Sequence, residues 1–373
     1  MGKKILFVAT VVKTHILEFH VPYLKMMQEL GWETSVAGKN DFEPGEAPYI
    51  PYCDHYVPVD FGRSPLAKSN LGAYRKLKKL IDENHYDIIH CHTPVAAFLT
   101  RLAARHARKE GTKVIYTAHG YHFFKGAPLK NWLLYFPAEW ITSFYTDLLI
   151  NINQEDYAFS QKHMHPKHLE YVKGVGVPLD RFRDCTTYRA SVRESLGLQE
   201  DDFVLLSVAE LTKNKNHAMM LRAMKLLDNP KIHLVCAGRG QEMENCLALQ
   251  KELGLEDRVH FLGYRSDVPM LYGAADAFLF VSFREGLSLS LMEAMSSGLC
   301  AIVSPIRGNV DLIDDGVEGL YTALNPEAIA EAITRAFDNP DLRTRLGAAA
   351  KEKVQQFSLE TISRQMKQLY LSV

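Results

Sequence analysis

Short apolar runs that alternate with amphipathic stretches restrict the fold of this chain more than any other feature. In the first half the runs cover residues 4–9, 34–37, 56–60, 87–91, 113–117 and 147–152, with helix patterns at 18–30 and 71–83. A second set covers residues 203–209, 232–237, 259–262, 277–281 and 300–303. Strands separated by helices predict parallel sheets with both faces covered. We therefore expect an α/β protein with two Rossmann-like, doubly wound domains and a cleft between them.

The length agrees with two domains, because 373 residues with 47% hydrophobic content exceed what one core usually holds. A turn rich in Gly and Pro at residues 169–182 precedes a polar stretch at 183–202 and predicts the linker. We expect an N-terminal domain at 1–178, a C-terminal domain at 179–356 and a last helix at 357–373.

Composition excludes several classes of protein. The net charge of −1 argues against a nucleic-acid partner, and no run of 18 uncharged apolar residues predicts a membrane span. The basic and then apolar start is too short for a signal peptide and is more typical of a first strand. Six scattered cysteines predict reduced thiols in a cytoplasmic protein.

Two acidic residues in one strand–loop–helix–strand unit are the strongest candidate binding groups. Glu285 falls in the predicted loop and Glu293, eight residues later, in the predicted helix. A helical rise of ~1.5 Å per residue separates them by about 12 Å at most, which suits the two ends of a nucleotide sugar. Carboxylates accept hydrogen bonds from vicinal hydroxyls, and the helix start offers free amides to phosphates. The alternative is an ordinary solvated glutamate pair.

The pattern E-x7-E followed by AMSSGLCAIVS resembles the donor-site signature of retaining glycosyltransferases of family 4, which have the GT-B fold. The phrases DIIHCHTP and YTAHGYHFFKGAP resemble members that build bacterial capsule, exopolysaccharide and protein-linked glycans. The resemblance also implies that the last helix packs back on the first domain.

Three catalytic residues follow from this resemblance. Lys215 would neutralise the diphosphate leaving group, Glu285 would bind the donor sugar, and His119 would approach that sugar from the first domain. The family's usual arginine before the lysine is Glu210 here, so Lys213 is the candidate for a second cation. Glu293 would hold the ribose. Further donor-binding residues are predicted at Lys213, Gly238, Tyr264, Arg265, Gly286, Leu287, Ser288 and Leu289, and acceptor-binding residues at His15, His20, His122 and Lys125.

The resemblance implies transfer of a hexose or N-acetylhexosamine from a nucleoside diphosphate, preferably UDP, to a polyprenyl-linked saccharide at the inner face of the membrane. No cofactor and no metal are expected, because cationic side chains and helix amides offset the phosphate charge. Complete loss of activity in EDTA would contradict this. The alternatives are a nucleotide-sugar epimerase or hydrolase on the same fold, and a catalytically silent sugar-binding scaffold.

Other patterns are open to two interpretations. His90 and His92 share one strand face, but an ordinary buried strand is favoured over a metal site there. The loose cluster of His163, His165 and His168 is interpreted as a solvated loop. An aromatic stripe is either core or a membrane-facing surface assisted by basic residues of the helix at 71–83; its members are Trp132, Phe136, Trp140 and Phe144.

Overall fold

The computed structural model describes residues 2–43, 45–62, 64–183 and 185–373, and the chain divides into two compact units. The first unit comprises Met1–Val175 with Ile362–Val373, and the second comprises Gly176–Thr361. Each unit is built on one sheet of parallel strands.

The first unit has seven strands in the order β3-β2-β1-β4-β5-β6-β7, all paired in parallel. The strands are β1 Lys4–Val11, β2 Glu33–Lys39, β3 His55–Pro58, β4 Ile88–His92, β5 Lys113–Ala118, β6 Leu148–Asn151 and β7 His168–Tyr171. The helices are α1 Leu17–Phe19, α2 Val21–Glu29, α3 Ser69–Asn84, α4 Pro94–Ala103, α5 Arg105–Lys109, α6 Leu129–Ser143 and α7 Gln154–His163.

The second unit has six strands in the order β10-β9-β8-β11-β12-β13. They are β8 Phe203–Val208, β9 Ile232–Ala237, β10 Val259–Gly263, β11 Ala277–Phe280, β12 Cys300–Val303 and β13 Gly319–Tyr321. The helices are α8 Arg189–Ser195, α9 His217–Leu226, α10 Met243–Leu253, α11 Val268–Ala274, α12 Leu289–Ser296, α13 Asn309–Leu312, α14 Pro326–Asp338 and α15 Pro340–Lys353.

The last helix, α16 Leu359–Ser372, begins in the second unit and continues into the first. Its buried residues Ile362, Met366 and Tyr370 join the core formed by Phe7 and its neighbours on one face of the first sheet. The Tyr370 hydroxyl lies 2.6 Å from Nδ1 of His90, which is buried in β4. The core of the first unit is therefore built from two distant segments of the chain.

The predicted helix at 18–30 is interrupted, which is a departure from the sequence analysis. A π-helical turn, Val12–Ile16, follows β1, and the chain breaks at His20 between α1 and α2. Pro22 at the start of α2 explains the break, since proline lacks the amide that a continuous helix needs. The break places His15 and His20 at the carboxyl end of β1.

The polar stretch beyond residue 184 is ordered rather than a plain linker. A 3₁₀ turn, Cys185–Tyr188, leads into α8, where Arg193 is buried and its Nη2 lies 2.7 Å from Oδ2 of Asp276. Arg189 binds the other carboxylate oxygen of Asp276 at 2.7 Å. Charge pairing within the second unit thus explains why polar residues form structure here.

Buried strands form the centre of both sheets, as the apolar runs predict. Strands β11 and β12 are buried along their whole length, and so is β4 despite its two histidines. None of the six cysteines forms a disulfide. Within the described ranges, no helix combines the length and apolar character needed to cross a bilayer.

Candidate functional site

The loop between β11 and α12 carries the first acidic residue of the E-x7-E pair. Helix α12 begins at Leu289, and the Ser288 side chain caps it by accepting a hydrogen bond of 3.3 Å from the amide of Leu291. Glu285 lies in the loop with its side chain 10% exposed. Since the first amides of a helix have no acceptor within it, Ser288 and Leu289 present donors here, and Leu287 directly precedes them.

Lys215 lies beside that loop. It closes the 3₁₀ turn Lys213–Lys215 between β8 and α9, and its Nζ is 2.7 Å from Oε1 of Glu285. The Lys215 side chain is 20% exposed, and its ammonium sits 4.7 Å from the centre of the Phe280 ring. The pair is thus partly removed from water, which strengthens its attraction.

Two asparagines missed by the sequence analysis hold the lysine loop against the acidic loop. The side-chain amide of Asn214 donates to the main-chain carbonyl of Arg284 at 2.9 Å. The main-chain carbonyl of Asn214 accepts from the main-chain amide of Phe283, also at 2.9 Å. Asn216, which has a left-handed φ of 59°, donates to the Val281 carbonyl at 3.2 Å. Because these bonds come from both sides of Lys215, they fix the lysine relative to Glu285.

Glu293 is oriented by a tyrosine from the neighbouring helix. The Tyr272 hydroxyl lies 3.0 Å from Oε2 of Glu293 and 2.9 Å from the Ser290 carbonyl. Tyr272 is fully buried, and burial together with the Glu293 carboxylate raises the pKa of its phenol well above the usual value. The hydroxyl therefore remains protonated and acts as a donor that restricts the partly exposed carboxylate.

Glycines allow the surrounding loops to approach one another closely. A Cβ on Gly238 would lie 1.9 Å from the Ala209 carbonyl oxygen, and one on Gly240 would lie 2.1 Å from that of Leu211. Any larger residue at either position would separate the loop after β9 from the loop that leads to Lys215. The glycine turn, which the sequence predicts beside a donor phosphate, is thus a point of backbone contact.

The remaining donor-side candidates differ in their surroundings. Tyr264 is 68% exposed and has the Arg239 guanidinium 5.4 Å from its ring. Arg265 forms an ion pair with Asp267, in which Nε of the arginine lies 2.7 Å from Oδ1 of the aspartate. A contact between Arg265 and a base or phosphate would therefore compete with this pair. Lys213 is exposed in the same turn as Lys215, and Glu210 is exposed upstream. A role for Lys213 as the second cation therefore stays a prediction.

In the first unit, three of the predicted histidines lie together with a fourth. His15, His20 and His119 gather around His92, and one ring nitrogen from each lies within 4.8 Å of the others. Burial lowers the pKa of His15 to about 4 and lowers those of the other three well below the usual value, so all four are neutral at pH 7. The fourth member is His92, for which the sequence favoured an ordinary buried strand position. The feature that could have pointed to it is its place on the same strand face as His90.

The other acceptor-side candidates have separate environments. His122 stacks on Tyr135 with ring centres 4.7 Å apart, and its carbonyl accepts from Asn131 at 3.0 Å. Lys125 is exposed in the loop before α6. These two residues thus belong to the α6 side of the first unit rather than to the histidine cluster.

The aromatic stripe on α6 divides into two halves. Trp132 and Phe136 pack against the core of the first unit, whereas Trp140 and Phe144 are 41% and 49% exposed. Leu133 on the same helix is 70% exposed. The stripe is therefore neither wholly core nor wholly exposed surface, the two alternatives that the sequence left open.

Two family models together match most of the chain. The model described as "Glycosyl transferase 4-like" matches residues 4–153, and "Glycosyl transferases group 1" matches residues 189–353. The protein "Putative glycosyltransferase EpsD" of Bacillus subtilis (strain 168) is 41% identical over 375 residues, covering 99% of this chain and 97% of its own. An Escherichia coli "UDP-Gal:alpha-D-GlcNAc-diphosphoundecaprenol alpha-1,3-galactosyltransferase" is 29% identical, covering 82% of this chain and 79% of its own.

Solved structures share the architecture over the full length. Anabaena Alr3699/HepE in complex with UDP and glucose has a TM-score of 0.80 at 21% identity, covering 100% of both chains. Sucrose-phosphate synthase from Thermosynechococcus elongatus has a TM-score of 0.80 at 20% identity, covering 99% of this chain and 98% of its own. The predicted GT-B fold is confirmed by these likenesses and by the two parallel sheets.

Proposed function

This chain belongs to the family 4 glycosyltransferases, and we propose that it transfers a hexose or N-acetylhexosamine from a UDP-sugar to a polyprenyl-diphosphate-linked saccharide with retention of anomeric configuration. The product would enter bacterial capsule, exopolysaccharide or another surface glycan. The observation that carries the proposal is the contact of 2.7 Å between Lys215 and Glu285 beside the amino end of α12.

The residues of the second unit suit the three parts of such a donor. Lys215 and the free amides at the start of α12 would meet the diphosphate, which needs concentrated positive charge as the bond to the sugar breaks. Glu285 would accept hydrogen bonds from the sugar hydroxyls, and Glu293, steadied by Tyr272, would accept those of the ribose. Neither glutamate needs to act as a nucleophile.

In the proposed reaction the acceptor oxygen forms its bond to the anomeric carbon on the face from which the diphosphate leaves. The acceptor hydroxyl gives its proton to the departing phosphate oxygen, so charge and protons balance without a protein base. The enzyme positions the two substrates and supplies positive charge, and both effects lower the barrier to group transfer. The positive charge of Lys215 and the helix amides replaces Mg²⁺ or Mn²⁺ at the phosphates.

The choice of UDP draws support from two related proteins. The HepE structures hold UDP and UDP-glucose, and the Escherichia coli relative is named for a UDP-galactose donor and a diphosphoundecaprenol acceptor. A lipid-linked acceptor also agrees with an apolar cavity of about 230 Å³ in the first unit, whose lining includes Leu66, Phe98 and Leu134.

We also propose that the exposed part of α6 rests on the inner face of the plasma membrane. Leu133, Trp140 and Phe144 present apolar surface, and Phe144 shares a concave surface with Lys78, Arg105, Arg108 and Lys109. Apolar side chains beside several cations are suited to an anionic leaflet. Such a position would bring the enzyme to a polyprenyl-bound acceptor.

A two-step experiment tests the proposed activity. Thermal unfolding is first measured with UDP-, GDP- and ADP-sugars, because a ligand that binds only the folded chain raises the melting temperature. The preferred donor is then incubated with a polyprenyl-diphosphate saccharide, with and without added Mg²⁺ or Mn²⁺, and the anomeric configuration of the product is read by NMR. A preference for a UDP-sugar and a retained configuration without added metal are expected; an inverted product or hydrolysis alone would contradict the proposal.

A further inference from the structure

Four histidines meet at the carboxyl ends of three strands in the first unit. His15 lies in the π-helical turn after β1, His20 at the break before α2, His92 at the end of β4 and His119 after β5. His20 and His92 stack with ring centres 3.7 Å apart. Residues far apart in sequence thus place four imidazoles around one point.

The distances between ring nitrogens fit a tetrahedral metal site. Nε2 of His15 lies 3.3 Å from Nε2 of His20, and Nε2 of His119 lies 3.3 Å from Nδ1 of His92. Zinc–nitrogen bonds of about 2.0–2.1 Å at tetrahedral angles place the ligand nitrogens roughly 3.3–3.4 Å apart. Two of the ligand pairs therefore already have the required separation, and rotation of the rings would bring the other pairs, now within 4.8 Å, closer.

The nitrogens of His20 and His92 that face the cluster are Nε2 and Nδ1, respectively. His20 and His92 are buried to 1% and 0% exposure, and Nδ1 of His20 and Nε2 of His92 have no hydrogen-bond partner among the described residues. These two atoms are on the opposite side of each ring from the nitrogens that face the cluster, so a bound ion would leave them unpaired, and the proposal does not depend on them.

The neighbouring His90 shows that this core can satisfy a histidine. It is equally buried, but its Nδ1 meets the Tyr370 hydroxyl at 2.6 Å and its Nε2 meets the Thr117 hydroxyl at 2.8 Å. Within the cluster of four, the hydrogen-bonding contacts of the ring nitrogens among the described residues join one imidazole to another. The contrast distinguishes His90, a structural residue, from a set of imidazoles whose ring nitrogens face one another.

We propose that His15, His20, His92 and His119 bind one transition-metal ion, with Zn²⁺ the best match. Neutral imidazoles are good ligands for zinc, whereas Mg²⁺ and Ca²⁺ require oxygen ligands, and the cluster supplies none from the described carboxylates. The ion would enter past His15 and His119, the more exposed members. Once bound, it would tie together the loops after β1, β4 and β5.

The proposed metal ligands all belong to the first unit, whereas the residues proposed to meet the phosphates belong to the second. The metal would not substitute for Lys215, and Mg²⁺ would not fill its site. This separation gives the metal site a test that does not depend on sugar transfer.

The test uses the full chain without an affinity tag, freed of metal by dialysis against a chelator. Titration with ZnCl₂ is followed by calorimetry, and titration with CoCl₂ by visible absorption, which reports tetrahedral coordination. We expect one ion per chain and the strong visible bands of four-coordinate cobalt. Failure to bind either ion, or a six-coordinate cobalt spectrum, would overturn the proposal.

Variants identify the ligands. His92→Ala and His119→Ala are each expected to weaken zinc binding by about 100-fold or more, since even second-shell changes cost 10–100-fold. His119 is the less buried of the two, so its variant keeps the test valid if His92→Ala does not fold. His233→Ala is the matched control, because His233 and His260 also lie 3.3 Å apart but in the second unit. Equal binding by wild type and His119→Ala, or an equal loss in His233→Ala, would refute the assignment.

Discussion

Lys215 Nζ and Glu285 Oε1 are 2.7 Å apart, although 70 residues separate them in the chain. The two backbone loops that carry them are joined by hydrogen bonds from Asn214 and Asn216. In the absence of donor, the glutamate therefore balances the charge of the lysine. A bound diphosphate would then meet an ammonium that is already in position.

Replacing Lys215 by Met is expected to lower kcat/KM by about 100-fold or more, the usual effect of removing a group that stabilises charge in the transition state. Steady-state kinetics with the preferred donor measure this. Lys225→Met is the control, because Lys225 is an exposed residue near the end of the helix that follows Lys215. An unchanged kcat/KM in Lys215→Met would rule out its role at the phosphates.

Replacing Tyr272 by Phe is expected to raise KM for the donor by up to about tenfold with little change in kcat. The reason is that its hydroxyl lies 3.0 Å from Glu293. The hydrogen bond stabilises the observed orientation of that carboxylate by on the order of 1 kcal/mol. Glu293→Gln should raise KM at least as much. If both variants instead lowered kcat alone, Glu293 would belong to the reacting centre and not to ribose binding.

Trp140→Asp and Lys78→Glu are each expected to reduce binding to anionic vesicles, because the first removes exposed apolar surface and the second reverses a charge near it. Sedimentation with vesicles containing an anionic lipid measures the bound fraction. Leu247→Asp is a suitable control, since Leu247 is also exposed at 45% but lies in the second unit. If wild type and all three variants sediment equally, the exposed face of α6 does not bind the membrane.

Glu139→Gln is expected to lower the free energy of unfolding by about 3–5 kcal/mol, because it leaves the buried Arg101 without its counter-charge. The two side chains are 6% and 1% exposed and bind at 2.7 Å, and Tyr116 donates to the other oxygen of Glu139 at 2.9 Å. Urea unfolding measures the change. Lys25→Ala, which removes an exposed pair with Glu29, should alter stability by no more than ~0.5 kcal/mol.

The stability of the chain should fall between pH 6.5 and pH 4 in part because of His217. Burial, with the nearby Lys215 charge as a second cause, lowers the pKa of His217 from 6.5 to about 4. The unfolded chain therefore binds a proton in this window that the folded chain does not, so acid favours unfolding. At 1.36 kcal/mol per pKa unit, the full effect is about 3 kcal/mol.

The measurement is the free energy of unfolding against pH for wild type and His217→Gln. The wild-type curve should fall more steeply below pH 6.5, while the difference between the two proteins should stay constant above pH 7.5. Parallel curves across the whole range would show that His217 does not contribute.

Most of the fold follows from the sequence because a buried strand requires an uninterrupted apolar run. The runs at 232–237 and 300–303 match β9 and β12 to the residue. The π-helical turn after β1 could not be predicted in this way, since Val12–Ile16 has no periodicity that separates it from the helix that follows. Its shape depends on packing and on three amides from Val12 to Thr14 that bind the distant Asp41.

The candidate site could be proposed from the sequence where one short segment holds it. Glu285 and Glu293 share a single strand–loop–helix unit; their spacing alone left an ordinary solvated pair open, and the resemblance favoured a binding site. Tyr272 could not be found, because it reaches Glu293 from another helix. The proximity of His92 to His15 and His20 could not be predicted for a related reason: the strand pattern gives the face on which His92 lies but not the turn from β1 that brings the other two histidines to it.

The return of α16 to the first sheet has a consequence for how the protein is made. The face around Phe7 lacks Ile362, Met366 and Tyr370 until the ribosome has synthesised the intervening Gly176–Thr361 segment. At ~5–20 residues per second, this leaves apolar surface uncovered for on the order of 10–40 s. The nascent chain is thus exposed to chaperones and to aggregation during that interval, and its amino-terminal half reaches its mature form last.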